Sequence, residues 1–235
     1  MTDFHTHVLP KMDDGSSGTE ESLDMLRAAA AQGIAAVVAT PHYYAKREAP
    51  EKFLERRQAS YRRLREVIES QGAAELLPEL YLGAEVKMFS GIGSLELLSE
   101  LTVNGTDYVL LEMPFEPWSE NVFHELNQVR ARGLRPIIAH IERYESLQKR
   151  TDNIERLMDS DVLIQANAEF FLQRFGSGRA FRMLAGERIH LLGSDSHNMT
   201  SRPPNLGEAM GKIEKKLGAE VLSNLKYRSR KVLLG

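Results

Sequence analysis

Five of the seven histidines fall where a short apolar run ends: His5 and His7 in FHTH, His42 in ATPH, His140 in IIAH and His197 in SDSH. Side chains two apart on a strand point to the same side, so both imidazoles of His5-Thr6-His7 can reach one ion. Asp195-Ser196-His197 offers the same geometry if it is extended. Glu85 and Glu112 each close an apolar run, where a carboxylate is costly to bury unpaired. The alternative for either is an ion pair with an arginine. Asp13 and Asp14 lie in MDDGSSG just after the first histidine pair. Asp-Gly also favours a plain turn, and the reading takes Asp14 as a ligand and Asp13 as the turn or supporting residue. Imidazole and carboxylate without thiolate suit Mn, Fe or Zn, with Mg a further candidate. His5, His7, Asp14, His42, Glu85, Glu112, His140, Asp195 and His197 are too many for one ion of ordinary coordination, so more than one is expected. Adjacent ions can clamp a phosphate or carbonyl oxygen and generate hydroxide at neutral pH.

Two arginines narrow the substrate. Arg143 lies three residues beyond His140, and Arg202 five beyond His197 in SRPP. A guanidinium is a planar fork matched to phosphate oxygens; either residue, taken alone, could equally be a solvated surface charge. His124, inside an amphipathic run, reads as a surface residue, and His190, inside an apolar run, as a hydrogen-bonded interior one. The chain has no cysteine, which excludes disulfides, iron–sulfur clusters, thiolate zinc sites and phosphatase chemistry that uses a cysteine nucleophile.

These residues need elements to hold them. Strands are expected over 2–8, 34–40, 80–86, 107–113, 135–140, 161–166 and 189–194, and helices over 19–32, 51–71, 94–101, 119–132, 152–159, 177–186 and 205–224. VVAT, YVLLEM, PIIAH, VLIQA and IHLLG are continuous apolar runs, as in strands covered on both faces. Ser17 with Glu20 resembles a capping box, and Gly33, Gly133 and Gly186 are placed to end helices. Alternating strands and helices imply a parallel sheet, open or closed. Polar residues at every strand's C-terminal end fit a barrel, whose strand ends ring one mouth, better than an open sheet with a single switch point. The expectation is one α/β domain over residues 1–235: a distorted barrel of about seven strands, with ligands from every strand end except that of Gln165 and Asn167.

The bulk composition agrees with a globular chain: 235 residues, 42% hydrophobic and 27% charged, with a net charge of −3. That balance argues against nucleic-acid binding through a general basic surface. No run is long and apolar enough to span or insert into a bilayer, and MTDFHTH lacks the features of a signal peptide, so a cytoplasmic location is expected.

HTHVLPKMDDG, TPHY, GAEV, LLEMP, AHIERY, QAN and GSDSHNMTSRPP, in this order and spacing, resemble the PHP (polymerase and histidinol phosphatase) superfamily. More narrowly they resemble the CpsB/CapC-type bacterial manganese-dependent protein-tyrosine phosphatases, over residues 3 to about 206. The resemblance implies a seven-strand distorted barrel with three Mn²⁺ ions. His5, His7, Asp195 and a bridging Glu85 would hold the first, Glu112 and His140 would complete the second, and Asp14, His42 and His197 would hold the third. It further implies hydroxide attack on phosphorus, Arg143 and Arg202 on the phosphoryl oxygens, and a partner in the phosphotyrosine tail of a bacterial tyrosine autokinase controlling capsule or exopolysaccharide synthesis. Tyr43 and Ile141 depart from the family's usual T-P-H-H and A-H-P-E-R-Y, neither at a ligand position, and YYAKREAPEK (43–52) is the segment expected to shape substrate access. Three alternatives compete. A PHP phosphoesterase of a small metabolite such as histidinol phosphate fits the MDDG and SRPP segments less well. A metal-dependent amidohydrolase has less need of the arginines. A non-catalytic regulator that binds the kinase tail would not need every ligand intact. The sequence leaves the oligomeric state open.

Overall fold

A computed structural model describes residues 1–149 and 151–235. In chain order the elements are β1 (Thr2–Thr6), α1 (Thr19–Ala31), β2 (Ala36–Ala39), β3 (His42–Tyr43), α2 (Pro50–Ser70), β4 (Glu79–Leu82), β5 (Glu85–Lys87), β6 (Tyr108–Glu112) and α3 (Glu120–Ala131). They continue with β7 (Arg135–Ile138), α4 (Asn153–Met158), β8 (Leu163–Asn167), α5 (Ala168–Leu172), α6 (Ser177–Ala185), β9 (Leu191–Gly193), α7 (Leu206–Leu217) and α8 (Ala219–Leu234). Every strand pairing is parallel, in two ladders: β1-β2-β4 and β3-β5-β6-β7-β8-β9.

The ladders are joined where the chain breaks register. Pro41, with no N–H to give, ends β2 before β3 begins. Gly83-Ala84 separates β4 from β5. Across this break Gly83 N donates to Ala39 O (2.9 Å) and Glu85 N to Pro41 O (3.1 Å). At the other side Asp195 N donates to His5 O (2.7 Å) and His7 N to Ser196 O (2.9 Å). The parallel sheet therefore curls, and its strand ends face one another.

Leu110 and Leu111, Ile137 and Ile138, and Leu191 and Leu192 point alternately into two buried clusters. The larger cluster includes helix residues such as Leu23, Leu26 and Leu64; the smaller gathers Phe4, Val38, Leu110, Ile137 and Leu191 with Val232 and Leu233 of α8. Burial on both faces is why these strands read as unbroken apolar runs.

Several expected boundaries move. The strand expected over 80–86 is β4 and β5. The helix expected over 94–101 is two short 3₁₀ turns, Ile92–Ser94 and Glu96–Leu101. One of them packs where a Cβ on Gly93 would meet Gln128 Cβ at 2.3 Å. The helix expected over 205–224 is α7 and α8, divided at Gly218 (φ 93°, ψ 162°) and continuing to Leu234. Ser17 pairs with Glu21 and not Glu20: its N and Oγ both donate to Glu21 Oε2 (2.8 and 2.7 Å). Helix α1 starts at Thr19, so Glu21 is its third residue and the one that reaches back. Gly33 and Gly133 take positive φ at helix ends, whereas beyond α6 Glu187 does so in place of Gly186.

Candidate metal centre

Strand β1 delivers two imidazoles to one point. Its register with β2 shifts between Asp3 and Thr6, the kind of irregularity that re-aims side chains beside functional sites. The Nε2 atoms of His5 and His7 lie 3.2 Å apart. Each ring is held from its other nitrogen: His7 Nδ1 is 2.7 Å from Asp13 Oδ2, and His5 Nδ1 is 3.4 Å from Gln165 Oε1. A ring that donates from Nδ1 turns the lone pair of Nε2 to the centre. Asp13 also accepts from the backbone N–H groups of His42 (2.8 Å) and Gly15 (3.0 Å), so it ties the first loop to β3. Gly15 permits this: a Cβ there would lie 2.3 Å from His7 O.

Glu85, at the start of β5, is the hub. Its Oε2 lies 3.2 Å from His5 Nε2, 3.5 Å from His7 Nε2 and 2.8 Å from His42 Nδ1, and its Oε1 lies 2.8 Å from His140 Nε2. Asp195 Oδ1 completes the near side at 3.5 and 3.4 Å from the same two Nε2 atoms. His140 and Asp195 both take positive φ (33° and 53°), a strained backbone that the fold holds at the strand ends where their side chains turn inward. Asp14, 68% exposed, reaches His42 Nε2 (3.4 Å) and His197 Nε2 (3.6 Å).

Three sets of ligand atoms each gather within 4.8 Å: His7, Asp14, His42 and His197; His5, His7 and Asp195; and His42, Glu85 and Glu112. Eight of the nine candidate ligands fall in these sets, and the ninth, His140, adjoins them through Glu85 Oε1. The grouping differs from that implied by the resemblance: His7 and His42 each belong to two sets, Glu85 is not in the set of His5, His7 and Asp195, and His140 is in none. His42 turns Nε2 toward Asp14 and Nδ1 toward Glu85. Glu112 Oε2 meets Lys87 Nζ at 3.0 Å.

The donor set fits divalent cations. Ligand pairs on one ion with bonds near 2.1 Å are about 3.0–3.4 Å apart, close to the separations around Glu85 Oε2. Among the described residues, buried His140 Nδ1 and His197 Nε2 have no hydrogen-bond partner, and Glu85 Oε2 and His42 Nδ1 meet each other at 2.8 Å without hydrogen-bond geometry, although such atoms are costly to bury unpaired. Burial alone would raise Glu85, but His5, His140 and His42 hold it well below the usual carboxylate range. Asp195 is likewise held low against its burial, by His5, His7 and Arg143. Burial pulls His7 down, yet Asp13, Asp195 and Glu85 raise it well above normal. Such a cluster demands positive charge. His197, desolvated beside His7 and Arg202, is lowered to about 4 and stays neutral, as a ligand must.

One flank is cationic and the other aromatic. Arg143 donates to Asp195 Oδ2, and Arg202 forms an ion pair with the same oxygen (2.7 Å); their side chains remain 38% and 37% exposed. They line a cavity of about 530 Å³ with Asn167, Ser201 and Asn205. Opposite, Tyr44 stacks on His42 (5.2 Å) and Phe115, 45% exposed, on His140 (6.0 Å).

Sequence reasoning did not find Phe115, Lys87 or Asp3, and reached Tyr44 only within the segment 43–52. Asp3 is buried, raised to about 6 by desolvation, and accepts from Ser194 N (2.8 Å) and His5 N (3.3 Å); its position two before His5 was the only hint. Gln165 and Asn167 brace the cluster: Gln165 Oε1 accepts from His140 N (2.8 Å), and Asn167 Nδ2 donates to Asp195 Oδ2 (3.0 Å). His124 is exposed, and His190 Nδ1 accepts from Ile164 N (2.9 Å).

Known proteins resemble this chain in sequence and in fold. Tyrosine-protein phosphatase YwqE of Bacillus subtilis is 30% identical over 94% of this chain and 87% of its own length. Tyrosine-protein phosphatase CpsB of Streptococcus pneumoniae is 30% identical over 96% and 94%. A crystal structure from work on YwqE and CpsB, described as metal-dependent tyrosine phosphatases, superposes with a TM-score of 0.86. It covers 99% of this chain and 94% of its own at 24% identity, a likeness of fold. The sequence pattern of the family "Capsular polysaccharide synthesis, CpsB/CapC" matches residues 1–234, and the chain belongs to that family.

Proposed function

We propose that the chain is a metal-dependent protein-tyrosine phosphatase of the cytoplasm. Its substrate would be the phosphotyrosine tail of a bacterial tyrosine autokinase that controls capsule or exopolysaccharide synthesis. The observation that carries this reading is the buried convergence of imidazoles and carboxylates on Glu85, next to two arginines on one oxygen of Asp195. The names of the relatives supply the phosphotyrosine. With β2 and β3 taken as one interrupted strand, and β4 and β5 as another, the curled sheet reads as a seven-strand PHP barrel in one catalytic domain.

His5, His7, Asp195 and Glu85 would hold one ion, Glu85, Glu112 and His140 a second, and Asp14, His42 and His197 a third. Mn²⁺ is the favoured occupant over Fe, Zn or Mg. Bound ions of this kind supply Lewis acidity toward phosphoryl oxygens and hydroxide at neutral pH. The protein's own groups do the positioning. Asp13 and Gln165 orient the first two imidazoles. Arg143 and Arg202, half-exposed and preset on one side, offer two forks to a phosphoryl group arriving from solvent. Tyr44 and Phe115 offer aromatic faces to the ring of a phosphotyrosine. A phosphoserine has nothing to place there.

The test compares a phosphotyrosine peptide with histidinol phosphate on Mn²⁺-loaded protein. Higher kcat/KM on the peptide is expected; higher kcat/KM on histidinol phosphate would move the chain to the small-metabolite phosphoesterases.

A further inference from the structure

Beside the aromatic flank lies a second cavity of about 750 Å³, within the range of ligand sites, about 300–1,000 Å³. Tyr44, Lys46, Arg47, Lys87, Glu116 and Glu125 are among the residues that line it. It adjoins the centre through two side chains: Tyr44, stacked on His42, and Lys87, 3.0 Å from Glu112.

Its charges are not equally available. Lys87 is occupied by Glu112. Glu125 is buried and accepts from the backbone N–H groups of Gly91 (2.7 Å) and Gly93 (3.3 Å). Nearby ion pairing goes to Glu48 with Arg56 (2.9 Å), and among the described residues Lys46 and Arg47 are in no ion pair. The exposed charges left are those two cations and Glu116. Nor is the cationic wall loose. Tyr43 is fully buried against Phe53 (5.1 Å), Arg47 N donates to Tyr44 O (2.8 Å), and the Arg47 guanidinium sits over the Tyr44 ring at 4.4 Å.

Resting on the phosphatase reading above, we infer that this cavity is a subsite for the peptide flanking the phosphorylated residue and selects acidic side chains through Lys46 and Arg47. Arg47 is two ring contacts from His42, so the acidic residue it meets is close in sequence to the phosphorylated one. Exposed cations each contribute a few-fold, so the pair gives roughly tenfold, weakening as salt screens it.

The experiment uses two phosphotyrosine peptides that differ only in Asp and Glu, or Asn and Gln, around the phosphorylated residue. Each is assayed for turnover and, as a fluorescent peptide, for binding by anisotropy, with wild type and with Lys46→Gln/Arg47→Gln. Wild type should favour the acidic peptide by about tenfold in kcat/KM and in Kd at low salt, and the double variant should lose that preference. Turnover of p-nitrophenyl phosphate, which has no flanking residues, should be the same in both proteins. Equal handling of the two peptides by wild type, or an undiminished preference in the double variant, overturns the subsite. If neither protein hydrolyses any phosphotyrosine substrate, the phosphatase reading fails, and the anisotropy still decides the subsite.

Discussion

At the level of single residues, the two adjacent aspartates show how environment divides similar groups. Asp13 is spent on His7 Nδ1 and two backbone N–H groups, while Asp14 faces His42 and His197. The arginines separate in the same way from the ligands. Arg202→Ala removes charge-assisted hydrogen bonds of about 1.5–3 kcal/mol each and no ligand. Its kcat/KM on a phosphotyrosine peptide should fall by roughly one to two orders of magnitude with metal content unchanged. Arg202→Lys should recover only part, since an ammonium keeps the charge and loses the fork. His42→Ala should lower metal content and activity together. Kinetics with metal analysis on the same preparations check all three; wild-type efficiency in Arg202→Ala would return that arginine to the surface. Eight of the nine candidate ligands were legible because their types recur at or just past strand ends; Asp14 was read from the loop that follows β1. Phe115 and Lys87 were not legible, and Tyr44 only as part of the segment 43–52, because an aromatic ring or a lysine acquires its role from what packs beside it.

At the level of elements, the alternating pattern gave strands and helices in the right order, and the breaks escaped it. Gly83 in the run of residues 80–86 hints at a bulge, but the run alone does not show that pairing passes from one ladder to the other there, beside the neighbouring break at Pro41. Gly218 divides α7 from α8 in a backbone region open essentially to glycine. Gly218→Ala should therefore lower the unfolding free energy by about 1–3 kcal/mol, read from urea melts; an unchanged midpoint would show that the turn relaxes. His190 joins β8 to β9 as an acceptor, and burial beside Arg228 lowers it to about 4. The unfolded chain binds the proton at about 6.5, so between those values unfolding takes up a proton and stability falls as the pH falls. His190→Asn keeps an acceptor without titrating. Its melting temperature should decline less than that of wild type from pH 6.5 to 4, and parallel declines would remove His190 from the account.

At the level of the whole molecule, a curled parallel sheet brings residues from 5 to 197 to one buried point, with two apolar clusters holding the strands. The relatives cover nearly the full chain, so this scaffold is shared with them as a unit. The chain has no cysteine, so a thiol-specific disulfide reagent should leave hydrolysis untouched. The most direct measurement is phosphotyrosine-peptide hydrolysis by protein stripped with a chelator, verified metal-free by elemental analysis, and then titrated with Mn²⁺. Activity should vanish on stripping and return in step with bound Mn²⁺. Full activity in verified metal-free protein would contradict the account.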